Sequence, residues 1–141
     1  MIDNFNLFNS KLIEFANDLI YIFPNVEDFK IFKFACEWFV VVDKEYPERF
    51  FKYCMGDVYD DKIIQKDESF FLEESFTHIK YYGHDMNLIS KLKKIWTNLD
   101  NTNKDCIWKY LNILMLISKR CNSVCLQDSE IDKQQLPKKM V

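Results

Sequence analysis

The chain has 141 residues, a length that fits a single domain. Its 19 basic and 22 acidic side chains give a net charge of −3, so a strongly basic nucleic-acid binder is not the default expectation. Hydrophobic residues make up 48%, enough to bury a core, while two glycines and three prolines count against folds that need many tight turns or glycine-rich phosphate loops.

The first two segments have helical patterns on either side of Pro24. From Asp3 to Phe23 apolar residues recur every three or four positions, which predicts an amphipathic helix that the proline ends. A second helix is predicted from Val26 to Val42, with Asn25 as its N-cap, and apolar residues lie nearly all round it. Such a helix is either buried on most sides or covered by a partner. A short strand at Val40–Val42 is the alternative for its last part.

The middle of the chain has weaker patterns. A third helix is predicted from Pro47, with an apolar face that reaches Ile64 and is interrupted by Gly56. Residues 65–85 are expected to form a long connection with one short helical turn. Within it, the apolar run Phe70–Leu72 pins the connection either to this core or to another chain.

The last part of the chain returns to helical patterns. Asp85–Leu99 is predicted to be helical, and a capping pair of Thr102 and Asp105 begins the last long helix, which continues to Cys121. A short link makes these two helices an antiparallel hairpin. Residues 123–141 are mostly polar and are expected to form a flexible tail after a helical domain of residues 1–122.

These elements predict an all-α fold, a compact irregular bundle of four to five helices with a C-terminal helical hairpin. We expect the Val26–Val42 helix at its centre, with the hairpin packed on it. The predicted core consists of Phe15, Leu19, Phe32, Phe39, Trp96, Trp108, Leu111 and Leu114.

The sequence offers little for catalysis, cofactors or metals, and we expect none of the three. The pair Cys121 and Cys125 lacks the further ligands that zinc needs. His78 and His84 fall in the poorly patterned connection, and only a minor hypothesis uses them with nearby acids in an enzyme. The first residues do not resemble a secretory signal, and no apolar stretch is long enough to span a membrane.

Charge is distributed unevenly along the chain. Residues 1–80 carry nine basic and sixteen acidic side chains, whereas residues 81–141 carry ten and six. The acidic stretch that includes Asp60 and Asp61 is either a solvated face or a docking surface for a basic partner. Lys91 and Lys94 belong to the basic half, which is the basis for an alternative function in nucleic-acid binding. The candidate interaction residues are therefore Phe70, Phe71, Leu72, Lys91, Lys94, Asp60 and Asp61.

Three stretches, Phe8–Lys30, Lys66–Leu72 and Leu92–Leu116, carry a family resemblance. Their motifs are the helix end at Phe23–Pro24, D-x₂-F-F-L, and W-x₂-L followed by K-x₃-W-K-Y-L. The chain resembles a family of small, uncharacterised helical proteins that nucleocytoplasmic large DNA viruses (giant viruses) encode. The resemblance implies a helical fold and a viral origin, and it brings no catalytic residues.

We therefore expect a viral structural or interaction protein without catalytic activity. Its partner would be a viral or host protein, and its place would be the host cytoplasm, a virus factory or the virion rather than the secretory pathway. The 13 phenylalanines have two explanations. One is an AT-rich genome, and the other is an exposed apolar patch that binds a partner.

Overall fold

The computed structural model describes residues 3–74 and 88–133. These residues form helices and no β-strand, so the all-α prediction is confirmed. The helices are α1 (Asn4–Ile22), α2 (Glu27–Val42), α3 (Tyr46–Met55), α4 (Asp60–Ile64), α5 (Glu68–Glu73), α6 (Leu88–Trp96), α7 (Asn101–Cys121) and α8 (Asp128–Lys133).

The ends of the helices depend on local side chains. Asp3 caps α1, because its Oδ1 accepts hydrogen bonds from the backbone N–H groups of Phe5 and Asn6 at 2.9 and 3.3 Å. The N-cap of α2 is Val26, which makes no side-chain cap bond, so the prediction of Asn25 was wrong by one residue. The helix continues to Val42, which excludes the short strand.

Two other boundaries differ from the sequence pattern. Gly56, with φ of +51°, ends α3 and separates it from α4, so the predicted single helix is two. Asp100, not Thr102, caps α7, since its Oδ1 accepts from the N–H of Asn103 at 2.8 Å. The Asp100 carboxylate, directly before the helix, accepts the hydrogen bond from a free N–H group of the first turn. The predicted capping pair of Thr102 and Asp105 is therefore not needed.

The core forms mainly where α1 packs against both α2 and α7. Six of the eight predicted core residues are buried, and the other two, Phe32 and Leu111, are partly buried against the main hydrophobic cluster. The predicted centre was wrong, because α1 occupies the place expected for α2. The main partner of α7 is α1, while α6 lies against α2, so the hairpin does not pack on α2 as a unit.

Three aromatic rings join α5, α6 and α7. The Phe71 ring centroid lies 5.2 Å from that of Trp96 and 6.3 Å from that of Trp108, and the two indoles are 5.6 Å apart in an edge-to-face arrangement. Trp96 is 1% exposed and Trp108 is 7% exposed. The apolar run of α5 therefore packs onto the core of its own chain.

A polar junction joins the segment after α7 to α3. Glu48 on α3 is fully buried, and its carboxylate accepts hydrogen bonds from the hydroxyls of Ser118, at 2.6 Å, and Ser123. Lys52 lies 3.2 Å from the same carboxylate. Burial of a carboxylate is costly unless such partners satisfy it. We call Glu48, Lys52, Ser118 and Ser123 the Glu48 junction.

Residues 123–130, which fall in the predicted tail, lie against α3. Arg49 donates to the carbonyl oxygen of Val124 at 2.9 Å and lies 3.1 Å from the Glu130 carboxylate. Leu126 is 2% exposed beside α2 and α3. Polar side chains that looked like a solvated tail are instead bonded to α3. Residues 134–141 lie outside the described residues.

A cavity of about 280 Å³, partly open to solvent, lies among the helices and is lined by residues of α1 to α7. Its lining is almost wholly apolar and includes Phe15, Ala35, Phe39, Trp96 and Trp108.

Candidate functional site

The outward face of α2 carries an exposed apolar stripe. Phe34, Trp38, Val41 and Val42 are 48%, 38%, 84% and 49% exposed. The first three have the spacing i, i+4 and i+7, which places them on one side of a helix. The opposite side of α2, with Phe29 and Phe39, is buried in the core. We call these four exposed side chains the α2 stripe.

Charged side chains border the α2 stripe. Lys30 and Glu37 are exposed along one of its edges, and each pairs within α2: Lys30 with Glu27 at 3.3 Å, and Glu37 with Lys33 at 3.9 Å. Both signs of charge are therefore present beside the apolar side chains. An apolar centre with a polar rim is the usual composition of a protein–protein contact surface.

The area of the α2 stripe limits the size of the interface that it can form. The exposed fraction of each of the four side chains, multiplied by the usual full surface of that residue type, gives its exposed area. The exposed area of the α2 stripe is then roughly 400 Å². Patches of this size on single domains often have a function. A standard interface uses about 800 Å² from each partner. The α2 stripe can therefore form the apolar centre of such an interface and needs a rim to complete it.

The predicted apolar anchor at Phe70–Leu72 faces its own chain. Phe71 packs on Trp96 and Trp108, and Phe70 lies 5.5 Å from the ring of Tyr59. Leu72 is partly buried against the same core. The sequence left open whether this run contacts this core or another chain, and the structure places it on this core.

The four predicted charged residues are not brought together as one surface. Lys91 on α6 lies 3.8 Å from the carboxylate of Asp28 on α2. Asp60 on α4 accepts a hydrogen bond from Lys119 on α7, and hydrogen bonding to Asp60 raises the pKa of Lys119. Lys94 and Asp61 are exposed. Two of the four thus take part in pairs between helices.

These pairs are part of a wider pattern, in which the acidic first half of the chain folds onto the basic second half. Lys104 lies 3.0 Å from Glu68, while Lys66 and Asp105 are 3.2 Å apart with the charges reversed. The unequal charge of the two halves is therefore partly neutralised within the fold. A basic stripe for nucleic acid would need such lysines to be available to phosphate groups.

The cysteine environments favour packing over reactivity. Burial raises the pKa of Cys36 far above its usual range and that of Cys54 to about 12. Burial, with the charge of Glu48, raises the pKa of Cys121 to about 11. A thiol must ionise to act as a nucleophile or metal ligand, so these three are poorly suited to either role at neutral pH.

The remaining predictions concern the two histidines, metal binding and membrane spans. His78 and His84 lie outside the described residues, so the minor enzyme hypothesis stays a prediction. Within residues 3–74 and 88–133, no cluster of three His, Cys, Asp or Glu side chains is arranged to hold a metal ion. In the same part of the chain, no helix is both long and apolar enough to cross a membrane.

Comparison with known proteins gives no relative. No protein-family model matches the chain, and no curated protein or solved structure matches it either. The residues of this chain therefore carry the functional argument alone.

Sequence reasoning missed the α2 stripe as a site, although its signal was present. Apolar residues on nearly every side of α2 implied either complete burial or cover by a partner. We expected burial because the helix was placed at the centre of the bundle. The stripe is exposed because α1, rather than α2, takes that central place.

Proposed function

We propose that this protein is a viral interaction protein without catalytic activity, and that the α2 stripe is its contact surface. The observation that carries the proposal is the exposure of Phe34, Trp38 and Val41 on one face of a helix whose other face is buried. The viral setting rests on the sequence resemblance alone. It would place the protein in the virion, the virus factory or a contact with a host protein.

The partner we propose is a different protein with an apolar groove. Helices that bind in grooves present large apolar anchors at i, i+3 or i+4, and i+7, which is the spacing of Phe34, Trp38 and Val41. A groove also contacts the charged edges of the helix and so adds the area that the stripe lacks. Two convex α2 faces packed together would cover less of those edges than a groove does. This favours a groove over a second copy of the chain.

The test uses one substitution in the α2 stripe and one matched control. Val41→Glu places a charge in the stripe, and Val58→Glu places the same charge at an equally exposed valine between α3 and α4, since the two are 84% and 81% exposed. Each tagged protein is purified from infected cells at about 150 mM salt, with and without nuclease. Partners are then purified, and their dissociation constants for the three proteins are measured.

We expect one protein partner to bind the wild type and Val58→Glu equally and Val41→Glu at least tenfold more weakly, with or without nuclease. Equal binding to all three proteins would overturn the proposal. Light scattering of the purified protein gives a second possible contradiction. A dimer that Val41→Glu dissociates and Val58→Glu does not would overturn the proposal, because the α2 stripe would then bind a second copy of the chain. Partners that vanish with nuclease would instead favour the nucleic-acid alternative.

A further inference from the structure

We infer that the cavity in the bundle is a binding site for a small, uncharged, mostly hydrocarbon molecule with one hydrogen-bond acceptor. The cavity is separate from the α2 stripe, because Phe34, Trp38, Val41 and Val42 do not line it. The inference therefore does not depend on the proposed function. It rests on the size of the cavity, its lining and one buried donor.

The lining determines the chemical class of the ligand. Among the described residues, nearly all of the cavity wall consists of aromatic rings, aliphatic side chains and the sulfur-containing side chains of cysteine and methionine. The charged residues in the wall are Lys62 and Asp67, which lie 3.4 Å apart and so neutralise each other. Lys62 also lies 5.1 Å from the centroid of the Phe70 ring. Among the described residues of this wall, a charged ligand would find no free counter-charge.

Trp96 supplies the polar contact. Its side chain lines the cavity and is 1% exposed, yet its indole N–H has no hydrogen-bond acceptor among the described residues. Buried donors are nearly always paired in folded proteins. The nitrogen itself is enclosed, so a ligand oxygen, such as that of a ketone, ester or alcohol, would accept this hydrogen bond after a small rotation of the indole ring.

The volume sets the size of the ligand. At about 280 Å³, the space is nearly twice that of an engineered apolar cavity of about 150 Å³ that binds benzene. Scaling from benzene predicts an occupant of about eleven non-hydrogen atoms. Decan-2-one has this size, an apolar chain and a single acceptor, and it serves as the probe.

The first measurement is a chain-length series in solution. Trp38→Phe removes the tryptophan that lies outside the cavity, so that the fluorescence of Trp96 and Trp108 reports on its occupancy. Each added methylene should tighten binding roughly fourfold, which gives roughly a 200-fold gain from hexan-2-one to decan-2-one. Affinity should stop rising in longer ketones. Absence of saturable quenching by decan-2-one would overturn the inference.

Two alanines locate the bound ketone. Ala35 lines the cavity, whereas Ala16 is buried and does not. Ala35→Leu should fill part of the space, weaken decan-2-one binding at least tenfold and raise the melting temperature. Ala16→Leu should lower the melting temperature, because it adds volume to a packed site. Unchanged affinity in a folded Ala35→Leu protein would contradict the inference, and the ketone series still decides the matter if that variant does not fold.

The hydrogen bond is tested with an isosteric ligand. In 2-methyl-1-decene a methylene group replaces the carbonyl oxygen of decan-2-one, and its affinity is measured by displacement of the ketone. Trp96→Phe keeps a ring and removes the donor, so it should lower the ratio of ketone to alkene affinity by roughly threefold to tenfold. An unchanged ratio would exclude Trp96 as the donor, whether or not both affinities fall together.

Discussion

The α1–α7 interface and the Glu48 junction hold the same chain together in different ways. The first is a largely apolar contact between two long helices, in which Phe15 stacks on Tyr110 at 5.0 Å and the Tyr110 hydroxyl at its edge donates to Asp18 at 2.6 Å. The second is a buried carboxylate that Ser118, Ser123 and Lys52 satisfy. Apolar contacts tolerate small shifts, whereas a buried charge requires particular partners. The α1–α7 interface therefore depends mainly on packed volume, and the junction depends mainly on individual bonds.

The largest expected effect lies in the aromatic core. Trp108→Ala should lower the free energy of unfolding by about 3–5 kcal/mol, because it empties a large buried site. The control Tyr21→Ala also removes an aromatic ring from a long helix, but Tyr21 is 88% exposed and the cost should stay within about 0.5 kcal/mol. Denaturant unfolding measures both values. Similar losses for the two variants would show that Trp108 is not a core residue.

A smaller effect is expected at the Glu48 junction. Glu48→Gln keeps the shape of the side chain but removes its charge beside Lys52, which should cost about 2–3 kcal/mol. The junction should also loosen, so the backbone N–H of Leu126, which donates to Arg49 at 3.4 Å, should exchange with deuterium faster. Glu45→Gln is the control, since Glu45 is exposed in the same turn. Equal exchange in the two variants would mean that the junction does not hold this segment.

The smallest effect is expected at the start of α1. The hydrogen bond from Lys44 and those from the backbone N–H groups of Asn6 and Phe5 lower the pKa of Asp3. A carboxyl group with a lower pKa in the folded than in the unfolded state stabilises the fold above the unfolded pKa. This contribution is lost as the pH falls through the folded pKa. Asn at position 3 still caps a helix but does not titrate.

Asp3→Asn should therefore be less stable than the wild type at pH 7, and the difference should shrink towards pH 3. Thermal unfolding across this range gives the comparison. Asp61→Asn is the matched control, because Asp61 is an exposed aspartate in the first turn of α4 and is not the N-cap residue of that helix. A difference between wild type and Asp3→Asn that is constant with pH would rule out the titration of Asp3 as its cause.

The sequence predicted the helical core well because its signal is local. Apolar residues at helical spacing identified α1, α2, α6 and α7, and their stripes contained Leu19, Trp96 and Leu114, which are buried. Spacing within a helix shows which side is apolar, but not which other helix covers it. For this reason α2 was placed at the centre, where the structure has α1.

Long-range polar contacts have no periodic pattern in the sequence. Glu48 and Ser123 are 75 positions apart, and neither residue type predicts burial. The segment after α7 therefore looked like a solvated tail. The same limit applies to the candidate site, because the charges of Asp60 and Lys119 were counted separately although the fold pairs them. The α2 stripe could be recognised as apolar from the sequence, but its exposure depends on how the other helices pack.

The contact between α1 and α7 also affects when the chain can fold during synthesis. The ribosome adds about 5–20 residues per second, and α7 begins 97 positions after α1. For several seconds the apolar face of α1 lacks its main partner, α7. The same holds for every nascent chain on the same mRNA. Local helix formation takes microseconds, but this interface must wait for the last long helix. The α1–α7 interface therefore forms only after α7 has been synthesised, and a chain stalled before residue 101 exposes the α1 face to chaperones and proteases.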